Sequence, residues 1–245
     1  MSGCEKLGWN VQRMTRNAKG CGECGSCGFG CATGAKQDVT RTYLASACAH
    51  GARIIANCTV HHVATENDIA SGVNATAITP DGRTVKLTVN APKVVLSAGT
   101  LKTPGLLYAS GIHIYHLGRH LKLHPTTAVI GWYDRPVNPW TGPTQGSYSD
   151  QHAFAHSGYG FLLETAPVHP GLIAAAHPWS GGMDYREKLL NMRNAAAFIV
   201  LTRDRGEGQI DIRGSGAMTY NLSNVDADSM RRGMLAAAQV HFAAG

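Results

Sequence analysis

The chain has 245 residues, 44% of them apolar and only 16% charged, which is enough to bury a core and excludes disorder for its bulk. Its strongly apolar runs, such as Ala195–Leu201, fall far short of the roughly 18 residues of a membrane span, and the N-terminus has no apolar signal core. A cytoplasmic protein without a transmembrane segment is therefore expected, and the net charge of +6, scattered along the chain rather than gathered in a patch, argues against a nucleic-acid partner.

In chain order, residues 1–37 are rich in Gly and Cys and poor in hydrophobic period, so they read as an ordered loop held by something other than a core. Asp38–His50 has a polar start, spaced apolar residues and Gly51 just past its end, the pattern of a short helix. Ala52–Val63 is β-branched and reads as a strand. Ile69–Ile78 and Arg83–Val89 flank Pro80-Asp81-Gly82, a turn in which Pro fixes φ and Gly accepts a positive φ, so the two form a β-meander with the strand before them. Lys93–Ser97 is a compact apolar strand, and Thr103-Pro104 opens a short helix that Gly111 stops.

Beyond Pro125 the texture changes to short segments with aromatic and β-branched residues: Thr126–Tyr133, Gly146–Ser149, Phe161–Leu163, Ala197–Arg203, Gln209–Arg213 and Met218–Asn221. A helix is expected at Tyr185–Met192, and Ser223 caps a final amphipathic helix over Val225–Phe242. The expected fold class is mixed α+β and α/β, with a boundary near residue 125. Residues 1–125 would form one part, and residues 126–245 a mostly antiparallel sheet with helices.

Four of the seven cysteines, Cys21, Cys24, Cys27 and Cys31, follow the spacing C-x2-C-x2-C-x3-C. The pattern admits three readings: a [4Fe–4S] run, a closed zinc site, or a Gly-rich loop whose thiols are buried or paired with one another. The same stretch spells G-x-G-x-x-G at Gly20–Gly25, but no apolar strand precedes it and no helix follows, so it is not a dinucleotide fingerprint. His113, His116, His120 and His124 are spaced as one helix face, yet Gly118 interrupts them and no carboxylate is close in sequence, so a surface or packing role is expected. Neither G-x-S-x-G nor a phosphate-binding P-loop occurs.

Several segments together resemble the glucose–methanol–choline (GMC) oxidoreductases, in particular their long-chain alcohol oxidase branch. CGFGCATGAKQDVTRTYLASACAHGARIIANCTVHHV (Cys27–Val63) is similar to that branch's Cys/Gly-rich loop, helix and strand. VVLSAGTLKTPGLLYASGI (Val94–Ile112) resembles the family signature, with His113 where a glycine is usual. HLGRHLKLHP (His116–Pro125) is similar to the passage between cofactor and substrate domains. The stretch Tyr148–Phe242, including GFLLETAPVHPGL and FIVLTRDRGEGQI, resembles the substrate-domain half.

The resemblance implies part of a Rossmann-like FAD-binding domain over 1–125 and part of a substrate-binding domain over 126–245. It implies FAD as cofactor and oxidation of the CH–OH group of an alcohol by hydride transfer, with a base to take the hydroxyl proton. Contacts to FAD would fall at Thr59 and Val60, at Ser97, Ala98 and Gly99, and at Gly34 and Ala35. The family's diphosphate-binding motif precedes the Cys-rich loop and its catalytic His motif follows the final helix, so an internal fragment is expected. No catalytic residue is assigned: His124, His169 and His177 suit the role by type but match no family motif. The apolar strands after Pro125 are compatible with a long aliphatic alcohol; the electron acceptor is undetermined. Two other functions compete: an iron–sulfur or zinc module centred on Cys21–Cys31, and a non-catalytic remnant or partner subunit.

Overall fold

The computed structural model describes residues 1–166, 169–213 and 216–245, with the backbone alone at 156 and 157. Residues 167 and 168, inside the GFLLETAPVHPGL stretch, lie outside the described residues. The helices are α1 Ser2–Lys6, α2 Tyr43–Ala49, α3 Gly99–Ala109, α4 Ala155–Gly158, α5 Pro170–Ala176, α6 Gly182–Leu190 and α7 Asn224–Ala244. The strands are β1 Gln12–Arg13, β2 Cys58–Glu66, β3 Ile69–Ile78, β4 Thr84–Asn90, β5 Thr126–Trp132, β6 Ser147–Ser149, β7 Phe161–Thr165, β8 Ala195–Thr202, β9 Gly208–Ile210 and β10 Met218–Tyr220. The chain divides into two compact units, the first made of Met1–Ala45, Leu123–Arg205 and Leu222–Gly245, the second of Ser46–Lys122 and Gly206–Asn221. The chain passes from the second unit to the first at Lys122/Leu123. Residues 1–45, however, pack with the later sheet, and residues 206–221 with the earlier part.

The first unit is built on a five-stranded antiparallel sheet in the order β1-β6-β7-β8-β5, with Leu163 opposite Val200 and Val129 opposite Phe198. Strand alternation sends neighbouring residues to opposite faces. Phe161, Leu163 and Val200 therefore face α7, where they pack with Ala236, Ala237 and Val240. Ala195 and Ala197 face a second cluster with Ile173 of α5, Met192 and the flanking Ile130 and Trp140. The buried positions of α7, from Asp226 through Ser229, Gly233, Ala236 and Ala237 to Val240, recur at helical spacing, and most are small, so the helix lies close on the sheet. Its start is fixed by a capping box: Asp226 N–H donates to Ser223 Oγ at 3.2 Å, and Ser223 N–H donates to Asp226 Oδ2 at 3.1 Å.

The N-terminal segment is not the purely irregular loop that its composition suggests. α1 buries Cys4 in the same cluster as α7, and a Cβ on Gly3 would stand 2.3 Å from the Val240 carbonyl oxygen, so the two helices touch backbone to backbone. β1 adds an edge to the sheet through Gln12 opposite Tyr148.

The second unit holds the antiparallel meander β2-β3-β4, with α3 against β2, and the two-stranded ribbon β9-β10. One expected strand begins late and another is absent: Ala52–Val63 is a strand only from Cys58 onward, residues 52–57 and 93–97 are unpaired among the described residues, and Ile54, Ile55 and Val95 are exposed. Their β-branched composition suits a sheet, but a strand exists only where a neighbour supplies its hydrogen bonds. α3 also begins at Gly99, earlier than Pro104, which sits inside the helix and forgoes one backbone bond.

Candidate functional site

β2 is an outer strand of the meander, paired through its inner edge with β3 alone. Its register shifts between Val60 and His62, a bulge of the kind that re-aims side chains beside sites. Val63 N–H donates to Ser110 Oγ at 2.8 Å, and that hydroxyl donates to the Leu106 carbonyl, which pins the end of α3 to the strand. The arrangement leaves a cleft of about 760 Å³, within the roughly 300–1,000 Å³ of small-molecule sites. Thr59, Val60 and His61 form one wall; Val94–Ala98, with Leu101 and Lys102 of α3, form the other.

The cleft has a chemical polarity. Val60, Val94 and Leu101 present apolar surface, while Thr59 and Ser97 present hydroxyls. At the amino end of α3, Ala98 is the N-cap and offers no side-chain acceptor, so the first-turn amides are left to other partners. Those amides, the helix dipole and the Lys102 ammonium favour an anion at that end. The side chain at 98 is only a methyl and Gly99 has none, so a ligand can approach the backbone closely. Such a lining fits a nucleotide: flat apolar walls for a base, hydroxyls for a ribose and a positive end for phosphate.

Five of the seven residues expected at a cofactor are thus in the second unit. Thr59, Val60, Ser97 and Ala98 line the cleft, and Gly99 follows as the first residue of α3. Gly34 and Ala35 belong to the first unit, where their backbone is engaged locally. Arg41 donates to the Gly34 carbonyl, and Lys19 N–H donates to the Ala35 carbonyl at 2.8 Å. His61, Lys102 and Asp211 line the cleft without having been singled out. His61 is held at 2.7 Å from the Thr76 hydroxyl across the meander, a pairing set by strand register. Lys102 lies inside the signature segment, but Thr103-Pro104 marks the helix start one residue after it; only the start of α3 at Gly99 puts it in the first turn.

The four clustered cysteines do not converge. Among the described residues, no group of three or more His, Cys, Asp or Glu side chains is placed to hold a metal ion, so the iron–sulfur and zinc readings of Cys21, Cys24, Cys27 and Cys31 are corrected. The physical reason is that the sulfurs are claimed by separate donors. Cys21 Sγ accepts from Glu23 N–H at 3.4 Å and faces Arg16; Cys31 Sγ accepts from Lys36 N–H at 3.3 Å. Cys27 accepts from Thr144, and these bonds hold its thiol below the ordinary value. All seven cysteines are free thiols.

The three histidines that suit a base by type, His124, His169 and His177, are not brought together among the described residues. His169 caps α5, its Nδ1 accepting from Gly171 N–H at 3.2 Å, and packs on Phe29; His177 stands near the Tyr185 ring, and His124 is exposed. His116 and His120 are hydrogen-bonded at 3.0 Å, and His120 Nδ1 reaches Glu207 at 2.6 Å. The carboxylate missing from the neighbouring sequence is therefore supplied by the topology. His120 thus bonds Glu207 through Nδ1 and His116 through Nε2, and the trio ties the segment before residue 122 to that before β9.

A family model described as GMC oxidoreductase matches residues 1–126. A long-chain-alcohol oxidase of Arabidopsis thaliana is 29% identical over 260 residues, covering 99% of this chain and 34% of that protein. A second from the same plant is 31% identical, covering 99% of this chain and 34% of the relative. An uncharacterised GMC-type oxidoreductase of Mycobacterium tuberculosis is 35% identical over 247 residues, covering all of this chain and 38% of that protein. The chain thus spans little more than a third of the length of these relatives. Among the described residues, no helix is long and apolar enough to cross a membrane.

Proposed function

The chain belongs to the GMC oxidoreductase family, whose cofactor is FAD, and on that premise we propose that it is a portion of an FAD-dependent oxidoreductase acting on the CH–OH group of long-chain alcohols. The observation that carries the reading is the cleft of the second unit, where residues 59–60 and 97–98 meet with the chemistry of a nucleotide site.

In this reading the open edge of β2 at Thr59 and Val60 binds the adenosine portion. Ser97 and Ala98 let the cofactor approach the backbone, and the amino end of α3 with Lys102 holds negative charge. Gly34 and Ala35 already bond within their own unit, which leaves cofactor contact to the other five residues. Bound FAD would supply the acceptor for a hydride from the alcohol carbon. Residues 1–125 would contribute to the cofactor domain, and strands β5–β8 of the five-stranded sheet to the substrate domain. The exposed Ile54, Ile55 and Val95 fit a fragment reading, in which both extended segments pair with further strands of a longer FAD domain.

Fluorescence anisotropy of FAD titrated with the purified chain tests the assignment. Saturable binding is expected, with competition by ADP but not by riboflavin, and with Ala98→Trp weakening it about tenfold or more, ~1.4 kcal/mol. Binding that ADP leaves untouched, or that Ala98→Trp leaves unchanged, would place the cofactor elsewhere.

A further inference from the structure

The flavin reading assigns no role to the cysteines of the loop from Cys21 to Cys31. Within it, Cys24 and Cys27 are both exposed and both lie along one partner segment. Cys24 bridges Gly142, whose N–H donates to the Glu23 carbonyl at 3.0 Å, and the Cys27 sulfur accepts hydrogen bonds from the hydroxyl and amide of Thr144. Between the two cysteines the chain is folded back: Gly25 has φ +71°, and Ser26 Oγ donates to the Cys24 carbonyl at 3.3 Å. No side chain fits at Gly25, since a Cβ there would lie 1.9 Å from the Trp140 carbonyl oxygen. The C-G-S-C stretch is therefore clamped at both cysteines and at its middle. Cys21 and Cys31 are turned to other donors, as described above.

We propose that Cys24 and Cys27 are a reversible dithiol–disulfide pair, with Cys27 the thiol that reacts first with hydrogen peroxide. The Cys27 thiolate attacks one peroxide oxygen, the O–O bond breaks, and hydroxide leaves, giving a sulfenic acid on Cys27. The Cys24 thiolate then attacks the Cys27 sulfur; the S–O bond breaks, the S–S bond forms, and the oxygen leaves as water after taking up a proton. In total, two thiols are oxidised to a disulfide and one peroxide is reduced to two waters. Reduction by a dithiol reverses the change. The donors on the Cys27 sulfur, with Arg16 nearby, favour its thiolate over its thiol, as reactive cysteines require. The pair also borders a cleft: Gly25 and Thr144 line a cavity of about 300 Å³ that extends to Phe198 of β8, so the disulfide would stiffen a wall of that cleft.

The proposal does not depend on the flavin reading, and its test involves no flavin. The purified chain is treated with equimolar hydrogen peroxide, unfolded, alkylated and mapped by peptide mass spectrometry. Cys24 and Cys27 should be protected together and released by dithiothreitol, while Cys21 and Cys31 alkylate freely. Cys27 should react about tenfold faster than Cys48, an exposed thiol on α2 that serves as an internal control. In Cys24→Ser the sulfenic acid on Cys27 should persist and be captured by dimedone; in Cys27→Ser the stretch should stay reduced. A disulfide joining any other pair in the unsubstituted chain, or equal reactivity of Cys27 and Cys48, would overturn the assignment whether or not the variants fold.

Discussion

Replacing Gly233 in the middle of α7 by Ala sets two effects of opposite sign against each other. In an exposed helix, Gly→Ala stabilises by about 0.8–1.0 kcal/mol through backbone entropy. Here a Cβ would stand 2.2 Å from Val200 Cγ1 and 3.2 Å from Phe161 Cγ, whereas carbon atoms pack at roughly 3.5–4.0 Å. Val200 is 0% exposed, so its methyl has no free space to move into, and α7 must shift on β8. Overpacking of this kind costs about 1–3 kcal/mol, so the net change should be a loss of up to ~2 kcal/mol. The midpoint of thermal unfolding should fall by roughly 2–4 °C for each kcal/mol. Val200→Ala removes the clashing methyl at its own cavity cost. In that background Gly233→Ala should become neutral or stabilising, a coupling of about 1–3 kcal/mol. Urea and thermal unfolding followed by far-ultraviolet circular dichroism measure both. A raised midpoint for Gly233→Ala alone, or the same penalty in both backgrounds, would refute the claim that close helix–sheet packing sets this residue.

Asp226 is 1% exposed and accepts hydrogen bonds from Ser223 N–H and, at 2.7 Å, from Arg205 N–H, so Asp226→Ala leaves two partly buried donors without this acceptor. It should cost about 2–3 kcal/mol in urea unfolding, more than the ~1 kcal/mol expected for Ser223→Ala, and equal losses would contradict this. His241 is buried, with its Nδ1 accepting from the Tyr133 hydroxyl at 2.8 Å and its Nε2 facing the Val129 carbonyl at 3.2 Å. Burial pushes its pKa below the ordinary 6.5, partly offset by the Val129 carbonyl. The unfolded chain therefore binds a proton as pH drops below about 6.5 while the folded chain does not, so stability falls in that direction. His241→Gln should flatten the decline between about pH 6.5 and 5 relative to the unsubstituted chain, and parallel curves would count against it.

The parts of the fold that could be read from the sequence are those whose cause is local. Pro80-Asp81-Gly82 sets the β3–β4 turn, closed by Gly82 N–H to the Thr79 carbonyl at 2.8 Å, and Ile69–Ile78 matches its strand end for end. The periodicity of α7 and the Ser223 cap were likewise visible. Residues 52–57 and 93–97 have equally good strand composition yet are unpaired, because pairing depends on a distant neighbour and not on composition. α1 was missed for a related reason. It is only 5 residues long, too short for a hydrophobic period, and its burial depends on Val240 at the other end of the chain.

The cleft and the cysteine loop show the same division at the level of chemistry. Thr59, Val60, Ser97 and Ala98 were legible as candidates because their segments resemble the family's. His61 was not, since its position depends on Thr76 and therefore on the register of β2 against β3. For the cysteines, C-x2-C-x2-C-x3-C states only which thiols could reach a common centre. What separates metal ligands from individual thiols is where their hydrogen-bond donors come from. Thr144 lies 117 residues from Cys27 in sequence, and its bonds to that sulfur come from outside the loop. Cys31 is instead held by the Lys36 amide, and a short helical turn, Cys27–Phe29, with Gly30 at positive φ separates it from Cys27. One spacing therefore serves two chemistries, and the donors facing each sulfur, rather than the intervals between cysteines, decide which one this chain can perform.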